Sequence, residues 1–109
     1  MKITKLVRDR IPELMQQQGR EGVAEQVSGV MLDVRLRQKL IEEAHEIVGA
    51  TDRESLIEEL ADVQEVIIAL AKHHKIQSSE FECVRKKKLL ESGGFTKGHL
   101  YTYDVASSS

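Results

Sequence analysis

The sequence predicts an all-α fold: a small helical bundle built around an antiparallel helix pair and completed by oligomerisation. Three observations point there. Two long segments, from Asp33 to about Gly49 and from Thr51 to His73 or His74, repeat apolar residues at helical spacing, and so short a turn joins them that they must run antiparallel. Hydrophobic residues make up 40% of the chain and charged residues 31%, with one proline, no tryptophan and two residues each of Phe and Tyr, which favours helices over a β-sandwich. At 109 residues the chain fits one domain, assigned to 1–105 with a disordered tail at 106–109, and a domain of this size buries too little surface to be very stable alone.

The elements follow in order. Pro12 sits at a first helical position and Gly19 stops a short helix after Gln18. Residues 20 to 31 read as a glycine-marked loop in which Val23 and Val27 support at most a brief extended segment. Asp33 is suited to cap the first long helix, and Thr51 with Glu54 forms a capping-box signature for the second. In that second helix Ile57, Gln64 and Ile68 widen the apolar arc beyond what one partner helix covers, which predicts a homodimer or homotetramer. A last helix runs from Ser79 to Leu90 and stops at Gly93 and Gly94.

Charge and cysteine content narrow the function. Formal net charge is -2 and no basic stripe alternates with aromatics, so a nucleic acid polymer is not indicated and the partner is expected to be small. The single cysteine, Cys83, excludes an intrachain disulfide and suits a reducing, cytoplasmic setting. No apolar run approaches the roughly 20 residues that cross a bilayer, and the N-terminus reads as mature protein.

The informative anomaly is acidic. Leu36, Leu40, Ala44 and Ile47 share one face of the first long helix, and Glu43 falls among them, about 20° from Leu36 and about 40° from Ile47 at about 100° per residue. Glu46 lies at the edge of this stripe, one turn on, and Glu42 points nearer the polar side. On the second helix Leu56, Leu60, Val63, Val66, Ile67 and Leu70 define the apolar face, with Glu59 between Val63 and Val66 and Asp62 at the margin. Isolated ionised carboxylates are too costly to bury, so they neutralise, find a cation from a side chain such as Arg8 or Arg10, or share a hard divalent ion. Magnesium (Mg2+) suits an oxygen cage that leaves room for water and phosphate.

These residues also carry a resemblance. Glu42-Glu43-Ala44-His45-Glu46, twelve intervening residues, then Glu59-Leu60-Ala61-Asp62 resembles the paired acidic motifs of the all-α NTP pyrophosphatases, which include MazG-like proteins, dimeric dUTPases and phosphoribosyl-ATP pyrophosphohydrolases. The opening Lys5-Leu6-Val7-Arg8-Asp9-Arg10-Ile11-Pro12 and the closing Gly93-Gly94-Phe95 are similar to a phosphoribosyl-ATP pyrophosphohydrolase-like subgroup, with Ser92 standing where that pattern has arginine. The resemblance implies magnesium-dependent hydrolysis of a nucleoside triphosphate to monophosphate and pyrophosphate, as in nucleotide-pool house-cleaning. Glu43, Glu46, Glu59 and Asp62 would hold the metal, and Glu42 or Glu46 would orient or deprotonate the attacking water. Arg8, Arg10 and, from the basic run at 85–88, Lys87 are candidates for phosphate contacts. His73 and His74 lack zinc-ligand spacing and read as structural. Phosphoribosyl-ATP hydrolysis and a non-catalytic nucleotide-sensing or interaction module stand as alternatives.

Overall fold

A computed structural model describes residues 1–106, so all of the expected tail except Ala106 lies outside the described residues. The described residues form four helices and no strand: α1 (Ile11–Gln17), α2 (Gly29–Gly49), α3 (Arg53–His73) and α4 (Ser78–Ser92). The all-α expectation holds. Two compact units divide the chain, one from Met1 to Ile76 and one from Gln77 onward.

In the first unit, α1 places Pro12 in its opening turn, where a missing N–H leaves no helical bond unmade. It ends when Gly19 takes φ +72°, which lets the Gly19 and Arg20 N–H groups donate to the carbonyls of Gln16 and Met15, both at 3.0 Å. Helix α2 starts four residues before Asp33, taking in Gly29–Met31 from the expected loop, and Val23 and Val27 form no strand. Asp33 therefore caps nothing. Its carboxylate meets Arg37 Nε at 3.1 Å, one turn on, and His74 Nε2 at 2.6 Å across the helix pair.

Helix α3 is capped by Asp52 and not by Thr51: the Ser55 N–H donates to Asp52 Oδ1 at 2.8 Å. A carboxylate there brings a full negative charge to the positive end of the helix dipole, which a hydroxyl cannot match. The same bond from Ser55 holds the Asp52 carboxyl below the usual range. The far end closes with Lys75 at φ +57°, where its N–H reaches the Lys72 carbonyl at 3.0 Å and that of Ile76 reaches Ala71 at 2.9 Å.

Helices α2 and α3 pack on each other. Their order is antiparallel, since Asp33 near the start of α2 meets His74 just past the end of α3. The core between them is thin: among the described residues only Leu36, 6% exposed, and Val66, 9% exposed, are buried. Val34, Ile41 and Val48 on α2 and Leu56, Ile57, Leu60 and Ile68 on α3 remain exposed.

The second unit is built on α4, which begins one residue before the expected Ser79 and runs two residues past Leu90. Arg85 Nε and Nη2 donate to the Glu82 carboxylate at 3.0 and 2.8 Å one turn away, and Gly93 ends the helix at φ +82°.

Candidate metal centre

The apolar stripes of α2 and α3 must face each other, and any carboxylate set within them is carried into the interface. Glu43 from α2 and Glu59 and Asp62 from α3 arrive there together. Each is half-buried, and each offers a carboxylate oxygen such that the three lie within 4.8 Å of one another. A cluster of three carboxylates, oxygen donors alone, would suit a hard divalent ion, with Glu43, Glu59 and Asp62 as the residues that would hold it.

The electrostatics agree with that fit. Partial burial pushes the Glu59 carboxyl above its ordinary range, and the neighbouring charges of Asp62, Glu46, Glu43 and Glu58 push in the same direction. A proton or a cation at this point relieves the repulsion.

The remaining residues singled out in the sequence take different positions. Glu46 is exposed one turn beyond Glu43 and stays outside the trio; with Glu59, Gly49, Ala50, Thr51 and Ser55 it lines an open cleft of about 230 Å³ beside the helix turn. Glu42 turns to a smaller hollow of about 120 Å³, where Lys39 and Lys5 approach it at 3.3 and 3.5 Å. Arg8 reaches the cluster, its Nη2 donating to Asp62 Oδ1 at 2.7 Å. Arg10 lies 3.9 Å from Glu13 at an exposed position. Lys87 belongs to the second unit, 4.0 Å from Glu91.

Sequence reading passed over Lys39. Its Nζ lies 3.2 Å from Glu43 Oε1 and 3.3 Å from Glu42 Oε1, and only 16% of its side chain is exposed. The signal was present in the spacing, because residue 39 precedes both glutamates by three and four positions, the separations that place side chains together on a helix.

The model of the phosphoribosyl-ATP pyrophosphohydrolase family matches residues 5–87, and the chain belongs to that family, within the MazG-like all-α NTP pyrophosphatase superfamily. It is a nucleotide pyrophosphohydrolase, a hydrolase of phosphoric anhydride bonds. No curated protein and no solved structure matches it.

Proposed function

We propose that the chain hydrolyses a nucleoside triphosphate between the α and β phosphates, giving monophosphate and pyrophosphate, with magnesium as its metal. The observation that carries this reading is the trio Glu43, Glu59 and Asp62, oxygen donors alone, with the Glu59 carboxyl pushed above its ordinary range by partial burial and by the neighbouring carboxylates. When bound, the ion supplies charge neutralisation for the phosphates and a polarised water. Glu46, beside the trio at the cleft it shares with Glu59, completes the ligand set when its side chain turns inward. Glu42 or Glu46 accepts the proton of the attacking water; Lys5 and Lys39 approach the Glu42 carboxylate and hold it in place. Arg8, already at Asp62, supplies a guanidinium for phosphate oxygens, with Arg10 as a further contact.

Residues 1–105 act as one functional domain, because the family match runs from 5 to 87 across the boundary between the two compact units. A homodimer or homotetramer supplies the missing core: the α2–α3 pair buries two apolar side chains and leaves many more exposed. The reducing cytoplasm is the setting that the single free cysteine suits. No helix is long and apolar enough to cross a membrane.

Phosphoribosyl-ATP is the second substrate reading, and the family match favours it equally. Pyrophosphate release with magnesium, measured over standard and damaged nucleoside triphosphates and phosphoribosyl-ATP, separates the two. Turnover spread across damaged nucleotides supports house-cleaning, and turnover of phosphoribosyl-ATP alone supports the second reading. Undiminished turnover in Glu43→Gln and Glu59→Gln would remove the proposed centre.

A further inference from the structure

Lys39 poses a question that helix stability does not answer. An acid–base pair four residues apart helps a helix most when the acid comes first, and here the lysine precedes Glu43. Its side chain is also largely covered, and a covered ammonium group loses hydration that only close counter-charges replace. Those counter-charges are Glu43, a member of the three-carboxylate cluster, and Glu42 beside it. Glu43, Glu59 and Asp62 bring three carboxylates to one place, Glu42 stands one residue before Glu43, and Lys39 reaches both Glu42 and Glu43 from within α2.

We infer that Lys39 is the resident counter-ion of the metal-free cluster and a positioning residue that weakens its hold on a divalent ion, an inference that rests on the metal centre proposed above. The ammonium group satisfies the same Glu43 carboxylate that an entering ion must engage, so ion and lysine compete. Their like charges also repel, whichever oxygen each takes. The lysine thus supports the fold of the metal-free protein and keeps the metal exchangeable. Arg8 offsets Asp62 in the same manner, but from a more exposed side chain on the N-terminal segment.

The test is calorimetric titration of the full chain, without nucleotide, using Mg2+ alone and Mn2+ alone. Lys39→Met is expected to bind either ion about three- to tenfold more tightly than wild type, the scale of removing one unit charge from beside the ion in a well-solvated site. The metal-free variant is expected to melt below wild type. Lys39→Arg, which keeps the charge, is expected to stay within about twofold of wild type, and added salt is expected to shrink the gap between Met and wild type. Lys39→Gln replaces Lys39→Met if circular dichroism shows the latter unfolded. Equal or weaker binding by the neutral variant, or tightening by Lys39→Arg to the same degree, overturns the inference and leaves the metal centre standing. Absence of binding of both ions to wild type overturns the metal centre and this inference with it.

Discussion

The α2–α3 pair treats carboxylates in opposite ways at its two ends. At the open end Asp33 meets His74 at 2.6 Å and Arg37 at 3.1 Å, and the bond from His74, ahead of the Arg37 contacts, holds its carboxyl below the usual range. Toward the turn Glu59 meets Asp62, Glu46 and Glu43, and partial burial with their charges pushes its carboxyl up. One helix pair therefore carries a carboxylate already satisfied and a cluster satisfied only in part. The first closes the fold; the second carries charge that a cation would balance. Carboxylate content alone does not mark a site, whereas the balance of charge around each carboxylate does.

The largest effect expected on this contrast comes from Glu59→Gln, which removes a ligand at the crowded end. Pyrophosphate release should fall by roughly a hundredfold or more, the scale of losing a group that stabilises transition-state charge. The metal-free variant should melt higher than wild type near neutral pH, because the repulsion is gone, and magnesium should no longer raise its melting temperature. A lower metal-free melting temperature would show that Glu59 is structurally satisfied, like Asp33.

Leu36→Ala should come next. It empties one of the two positions buried among the described residues, and urea unfolding should report a loss of about 2–4 kcal/mol. A markedly smaller loss would mean that the solution core is built elsewhere, as an oligomer interface would allow.

A melting profile against pH separates the ends by sign. Glu59 is raised in the folded state, so its stabilising share is complete below its ordinary value of 4.5 and is lost as pH rises through that value toward the folded one, since the unfolded chain ionises first. Asp33 is lowered, so its share is present above its ordinary value of 3.8 and is lost as pH falls toward the folded one. Glu59→Gln should flatten the upper slope of the metal-free profile and Asp33→Asn the lower one. The smallest effect should be that of His74→Gln, a slight drop in melting temperature with metal binding unchanged, because the Asp33–His74 pair is partly exposed and far along the helices from the cluster.

The helix pair and the acidic motifs were legible in the sequence because both are periodic: Glu43 and Glu59 announce themselves by interrupting apolar stripes. Caps were less legible. Asp33 falls inside α2 because the helix begins four residues earlier, and its carboxylate is engaged by Arg37 one turn on and by the distant His74. The second long helix is capped by Asp52 through the Ser55 N–H and not by the expected Thr51. Helical projection gave the direction of Glu46 but not its reach, so its exposure beside the trio was beyond sequence. Arg8 was visible as a cation near a motif, yet its contact with Asp62 joins residues 54 apart, a distance that no local pattern encodes. Lys39 was the opposite case, local and readable, and passed over because lysine near glutamate is so common on helix surfaces.

The central claim is that the crowded end is a divalent-metal centre, and magnesium titration by calorimetry tests it most directly. Wild type and Asp33→Asn should bind magnesium alike, while Glu43→Gln, Glu59→Gln and Asp62→Asn should each lose most of that binding. Equal binding in all five proteins would contradict the assignment.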